Sequence, residues 1–308
     1  MGIFLGLDVI KMYKVFAIIV TYKPNVRVLI KTIYSLKDQV YKIIIVDNTE
    51  DGFNFQQILT ANNYKIKIIK LWNNYGIGKA QNIGIKIAID EGAEYIMLSD
   101  QDTEYPPNYI ENMIKAIGDL SYNNSQIAAI GPSYEDLNKD GRRGYFVIFN
   151  SFFIKRIYAK EGCLPVSQLL ATGMIIPVKI LKSVGYMRED LFIDWVDMEW
   201  CWKARSMGYQ IFGNANVVVK HVLGDKSVKV GPKYFNLRSP SRHYYMIRNG
   251  LYLALNSSYI NWQMKLRLLI SMFCRVLFYA ILSKPHSTHL KYCLLGIYHG
   301  FIGRLGKL

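Results

Sequence analysis

The chain has 308 residues, 51% of them hydrophobic, enough for one large α/β domain or for a catalytic domain plus an appendage. Its four cysteines, Cys163, Cys201, Cys274 and Cys293, lack CxxC or CxxxC spacing, which excludes a zinc site of the usual pattern and a disulfide framework. The net charge of +15 is localised: residues 1–225 carry 25 Lys+Arg against 23 Asp+Glu, whereas residues 226–308 carry 13 Lys+Arg and no acid.

Met1 to Lys11 is mildly apolar without a basic leader or cleavage site, so no secretory signal is expected there. Lys14 to Tyr22 reads as a buried strand that stops at Lys23-Pro24, and Arg27 to Leu36 has helical spacing. Lys42 to Val46 and Lys65 to Lys70 are further strands, Gly78 to Glu91 a helix, and Tyr95 to Leu98 a strand ending in Ser99-Asp100-Gln101-Asp102. Gln126 to Gly131 is another strand, Asp136 to Arg143 a polar loop, and Thr172 to Val178 and Gln210 to Val219 are strands. From Ser239 the chain reads as helical, longest over Asn261 to Leu282. This rhythm predicts an α/β fold with a mostly parallel sheet flanked by helices. Ligands bind such sheets beyond the carboxyl ends of the strands, where Thr21, Asp47, Asn48, Asn74, Asp100 and Asp102 converge. The expected division is a catalytic unit over 12–225 and a basic helical extension over 226–308.

Four motifs carry chemistry. Asp100-Gln101-Asp102 follows a buried strand, and two carboxylates at that spacing can hold a hard divalent cation, although a solvated acidic turn has the same sequence. Asn74 to Gly84 is rich in small residues at a helix start; it reads equally as a phosphate cradle or as a loop that turns the chain. Phe192 to Arg205 places Asp194, Asp197 and Glu199 among Trp195, Trp200 and Trp202. If the helix begins near Asp197, its dipole favours the ionised carboxylate that a general base needs; a salt-bridged amphipathic helix is the alternative. His221 follows an apolar strand and can either be structural or complete a metal site.

In this order and spacing the motifs resemble a bacterial family 2 glycosyltransferase, nearest to the rhamnosyltransferases of O-antigen and capsule assembly. The likeness rests on Ile18 to Pro24, Val46-Asp47-Asn48, Asn74 to Gly84, Asp100-Gln101-Asp102, Phe192 to Arg205, His221 and Tyr244 to Asn249. It implies a GT-A fold and an inverting, metal-dependent transfer from a nucleotide sugar. Asp47 is then expected to pair with the pyrimidine base, Thr21 and Tyr22 to line its pocket, and Asp100 to approach the ribose. Asn48, Asn74, Gly76, Asn82 and Gln101 complete the expected donor site. Asp102 and His221 would hold Mg²⁺ or Mn²⁺, and Asp197 would be the catalytic base. Thr172, Gly173, Asp194 and Trp195 are expected on the acceptor side, with Arg242 and Arg248 near the diphosphate. Val196 stands where many relatives have glutamate.

The best reading is transfer of L-rhamnose from dTDP-L-rhamnose to a lipid-diphosphate-linked glycan. Another sugar, such as galactofuranose or an amino sugar, is the first alternative, and a non-catalytic carbohydrate-binding assembly subunit the second. Leu266 to Leu282 is interrupted by Arg267 and Arg275, too short in its apolar runs to span a bilayer and suited to lying on one. The basic end is therefore expected to meet an anionic membrane surface at the cytoplasmic face. No recognition motif points to nucleic acid.

Overall fold

The computed structural model describes residues 13–56, 65–122, 126–136, 142–150, 153–221, 226–230 and 233–308. The Met1 to Lys11 segment and most of the expected Asp136 to Arg143 loop lie outside them.

The first half alternates strand and helix: β1 (Val15–Thr21), α1 (Val26–Leu36), β2 (Lys42–Asp47), β3 (Ile66–Lys70), α2 (Ile77–Asp90) and β4 (Tyr95–Ser99). A two-residue β5 (Thr103–Glu104), α3 (Tyr109–Tyr122) and the long β6 (Ile127–Asp136) follow. Then come β7 (Arg142–Arg143), β8 (Phe146–Asn150), β9 (Phe153–Ile157), β10 (Cys163–Val166), β11 (Ile175–Pro177) and α4 (Val178–Val184). The rest comprises α5 (Val196–Ser206), β12 (Gln210–His221), β13 (Lys226–Val230), β14 (Lys233–Leu237), α6 (Pro240–Asn256), α7 (Trp262–Leu282) and α8 (His286–Ile302).

The main sheet has the order β10-β12-β6-β11-β4-β1-β2-β3, with β5 added to β12 and β7 to β6. β1 pairs in parallel with both β2 and β4, which makes the carboxyl end of β1 the point where strand order reverses. β1 is buried on both faces, as a side-chain period of two under two helical layers requires. Phe16, Ile18 and Val20 enter one apolar cluster, and Val15, Ala17 and Ile19 enter the other.

Three features place functional groups. β11 runs antiparallel to β4, so the Thr172-Gly173 segment that precedes it arrives at the carboxyl end of β4. β12 runs parallel to β6 and carries His221 to the same rim. Met246, Ile247 and Leu253 of α6, Leu268 and Met272 of α7 and Cys293 of α8 belong to the same cluster as Ile18 and Val20. The last three helices are thus built onto the sheet's core.

Two expectations change. Lys226–Val230 and Lys233–Leu237 form an antiparallel strand pair, so the basic end is not helical throughout. The strand expected over Thr172 to Val178 is only Ile175–Pro177, because Gly173 (φ 79°) turns the chain before it and Val178 opens α4.

Candidate active site

Ile96, Met97 and Leu98 of β4 are fully buried, and the chain leaves the sheet at Asp100. It rejoins at once through β5, whose register sets Thr103 opposite His221. Thr103 Oγ1 lies 3.1 Å from His221 Nδ1. His221 Nδ1 is 3.4 Å from Asp102 Oδ1, and its Nε2 is 3.6 Å from Asp100 Oδ2. One ligand atom from each of Asp100, Asp102 and His221 falls within 4.8 Å of the others. Burial pushes the Asp102 carboxyl up to about 6; the imidazole of His221 works against that shift and the charge of Asp100 adds to it. Two carboxylates and an imidazole converging at a partly desolvated rim suit a divalent cation, which relieves the crowding of negative charge.

Asp197 is the second residue of α5. Its Oδ2 accepts from Ala171 N at 3.0 Å and its Oδ1 from Met198 N at 2.9 Å. Burial raises it to about 6 against these two donors, with Asp100 adding to the rise. The neighbouring Thr172 hydroxyl donates to Asp100 Oδ2. Adjacent residues of one turn therefore hold both carboxylates. That turn needs glycine at 173: N–H of Gly173 donates to Leu98 O at 2.8 Å, and a Cβ there would meet Tyr109 Oη at 2.5 Å. Thr172 and the Ala171 amide thus sit at the carboxylate pair and orient it, and Asp197 is one of the two.

Asp197 is presented by a strained approach. Phe192, Asp194 and Trp195 have φ of 65°, 63° and 69°, a conformation costing about 1–3 kcal/mol for each such residue. The surroundings enforce it. Asn249 Nδ2 donates to Leu191 O and Ile193 O, each at 2.8 Å, and to Asp194 O at 3.3 Å. Arg248 Nη2 donates to Leu191 O at 3.0 Å, and the Phe192 ring stacks on Tyr245 at 4.9 Å. Arg242 forks onto Asp194 at 3.0 and 2.8 Å, and Arg238 joins the same carboxylate. Burial raises the Asp194 carboxyl, but the two guanidiniums outweigh it and hold the group below the usual range.

Several expected donor residues have structural duties. Asp47 is fully buried; its Oδ1 accepts from Thr21 Oγ1 (3.0 Å) and Thr49 Oγ1 (2.7 Å), and its Oδ2 from Phe53 N (2.7 Å). These bonds tie its carboxylate to the turn after β2. Asn48 Oδ1 accepts from Tyr75 N at 2.8 Å and its Nδ2 donates to Asn74 Oδ1 at 3.0 Å, which joins the ends of β2 and β3. Tyr22 N donates to Gln101 Oε1 at 2.8 Å, so Gln101 ties the acidic turn to the end of β1. Tyr22 itself stays exposed.

The Asn74 to Gly84 segment is a packing element. Gly76 (φ 87°) lets the chain approach Phe192, since a Cβ would lie 2.5 Å from Phe192 O, and N–H of Ile77 donates to that oxygen at 2.7 Å. Asn82 is buried, exchanging bonds with Met187 N and O and donating to Glu189 Oε1. Gly76 and Asn82 therefore join α2 to the Met187 to Phe192 segment that leads into α5.

Two further expectations are corrected. Arg248 is wholly buried, with its guanidinium bound to Asn249 Oδ1, Gly306 O and Leu191 O and set against the rings of Tyr244 and Tyr245. It has no side free for a diphosphate. Trp195 is also in the core, its Nε1 donating to Met246 O at 3.0 Å, so it is not a sugar platform. Asn249, Arg238 and the Ala171 amide were not singled out by sequence. Only Asn249, beside Arg248 in the Tyr244 to Asn249 motif, carried a signal.

The four cysteines are unpaired. Two open depressions lie elsewhere: about 480 Å³ beside Asn112, Asp119 and Cys163, and about 640 Å³ beside Phe55, Lys70 and Trp72.

Comparison with known proteins places this arrangement. Residues 16–185 match the model of Glycosyl transferase family 2. The chain is 30% identical over 294 residues to the dTDP-rhamnosyl transferase RfbF of Shigella flexneri, covering 95% of this chain and 97% of that protein. It is 26% identical over 210 residues to the low-salt glycan biosynthesis hexosyltransferase Agl10 of Haloferax volcanii, covering 65% and 64% of the two chains. Among solved structures it is similar to S. aureus TarS 1-349 in complex with UDP-GlcNAc (TM-score 0.57, 18% identity, 93% of this chain and 81% of that one). GalNAc-T7 with UDP, GalNAc and Mn²⁺ has the same TM-score at 14% identity, covering 89% of this chain and 58% of that one. The fold is that of GT-A glycosyltransferases. The chain belongs to glycosyl transferase family 2.

Proposed function

We propose that this glycosyltransferase moves L-rhamnose from dTDP-L-rhamnose to a lipid-linked glycan of a bacterial surface polysaccharide, with inversion and with Mg²⁺ or Mn²⁺. The observation that carries the mechanism is the shared turn: Ala171 and Thr172 hold Asp197 and Asp100 side by side. The sugar is supported by likeness to the Shigella dTDP-rhamnosyl transferase along nearly the whole of both chains.

Asp100, Asp102 and His221 are the residues that would hold the cation. Bound there, it supplies Lewis-acid stabilisation of the charge that develops on the leaving diphosphate. Asp197, raised to about 6, is ionised at pH 7 yet basic enough to accept a proton. It takes the proton of the acceptor hydroxyl as the new oxygen–carbon bond forms. The bond from the anomeric carbon to the phosphate oxygen breaks on the opposite face, and the nucleoside diphosphate departs with that electron pair. With Asp197 acting as the base on the acceptor, the transfer is a single displacement, which inverts the anomeric centre. The ion pair of Arg238 and Arg242 with Asp194 keeps the approach to Asp197 in place. The acceptor's lipid puts the enzyme at the cytoplasmic face of an anionic membrane.

A panel of nucleotide sugars, assayed for hydrolysis and transfer with Mg²⁺ or Mn²⁺, tests this reading. Preference for dTDP-L-rhamnose is expected. Preference for a galactofuranose or amino-sugar donor would overturn the sugar, and turnover unaffected by chelator would overturn the cation.

A further inference from the structure

On the reading that the acceptor is lipid-linked, we propose that the outward faces of α7 and α8 form one bilayer-docking surface for an anionic leaflet. α7 exposes Trp262, Leu266, Ile270, Phe273, Leu277 and Ile281, with Phe273 67% and Ile281 68% accessible. Their spacing of three and four places them on one stripe along a helix about 31 Å long. The opposite side of α7 is committed to the protein through Leu268, Met272 and Tyr279. Phe278, by contrast, is partly buried against the core.

α8 repeats the pattern. Leu290, Leu294, Tyr298 and Phe301 are exposed, while Cys293, Gly296 and Gly300 are buried. Its orientation is fixed by close approach to α6: a Cβ on Gly296 would lie 2.8 Å from Tyr244 O, and one on Gly300 would lie 2.9 Å from Arg248 O. A contiguous apolar stripe of this kind on each of two neighbouring helices needs an occupant.

Charge decides which one. α7 and α8 carry Lys265, Arg267, Arg275 and Lys291 and no acid, so a second copy docked through the same face would set cations against cations with no carboxylate to pair them. Anionic headgroups complement them. On the helical wheel Lys265 and Arg267 fall on opposite flanks of the α7 stripe, where long side chains reach headgroups while the stripe enters the acyl boundary. Among the described residues no helix is long and apolar enough to cross a membrane. The end of α8 reaches the carboxyl rim of the sheet, where Lys307 Nζ, just beyond it, donates to Asn73 Oδ1 after β3 at 3.2 Å.

Vesicle flotation of the full chain tests the surface. Phosphatidylcholine vesicles containing phosphatidylglycerol should carry the protein, and phosphatidylcholine alone should not. High salt should release it in part, since headgroup attraction is screened and inserted side chains are not. The exposed-site double variant Ile270→Glu with Phe273→Glu should lose about tenfold or more in vesicle partitioning. Its circular dichroism and its hydrolysis of the nucleotide-sugar donor should stay unchanged. Equal partitioning by the variant, equal binding to neutral vesicles, or binding to neither would overturn the proposal. A stable dimer in ultracentrifugation that the same variant dissociates would also overturn it, assigning the face to a second copy. A chain that floats yet uses no nucleotide sugar would sink the proposed reaction and uphold this surface.

Discussion

The Thr172 hydroxyl donates to the Asp100 carboxylate, so the turn before β11 governs the orientation of the first acid of the metal cluster. Thr172→Val keeps the shape and removes the donor. The concentration of Mg²⁺ or Mn²⁺ giving half-maximal activity should rise about 10–100-fold, the usual worth of an outer hydrogen bond to a metal ligand. A metal titration of turnover checks this, and an unchanged midpoint would separate Thr172 from the cluster.

Asp197→Asn should lower kcat by about 10²–10⁴-fold while donor binding is kept. Its pH behaviour follows from the raised carboxyl of about 6. A base works only when ionised, so wild-type kcat/KM should be flat above that pH and fall tenfold per unit below it. The variant should lack this acid limb. A pH–rate profile of both proteins decides the assignment.

Asp102→Ala removes one of the three convergent ligands and leaves Asp100 and His221. Calorimetry with and without cation should show the metal-dependent part of donor affinity lost. If the variant retains the wild-type metal dependence, Asp102 is not a ligand.

Asn249→Ala deletes the Nδ2 amide that donates to Leu191 O, Ile193 O and Asp194 O beneath the strained segment. Leaving buried carbonyls unpaired costs about 1–3 kcal/mol, which lowers the Tm by several degrees in a domain of this size. Because the segment leads to Asp197 and not to the metal cluster, kcat should fall further than the donor's Kd rises. Calorimetric melting and single-turnover kinetics test the two halves separately.

Asp47→Asn bears on the role the structure assigns to that residue. Loss of a carboxylate that accepts from Thr21, Thr49 and Phe53 should destabilise the fold. Preference among nucleobases in the donor should be unchanged in whatever protein folds. A shift in that preference would restore Asp47 to the base pocket.

The sequence by itself determined the strands of the first half, the helix after Asn74, the long helix from Trp262 and the acidic turn at Asp100. These depend on local patterns: β-branched runs buried on both faces, and apolar residues at three- and four-residue spacing. It also determined that the cation excess lies at one end. Only the tertiary structure decided which of the marked residues are tied into the fold by buried hydrogen bonds. Asp47, Asn82, Trp195 and Arg248 are polar or aromatic residues in motifs, and nothing local separates a residue that binds substrate from one that satisfies buried backbone. The distinction depends on partners 26 to 107 residues away, such as Thr21 for Asp47 and Glu189 for Asn82. The same holds for β5, too short to carry a pattern, whose pairing with β12 brings His221 to Asp102. Spacing along the chain fixes the local elements, but the convergence of Asp100, Asp102, Asp197 and His221 is a property of sheet order, which no local segment encodes.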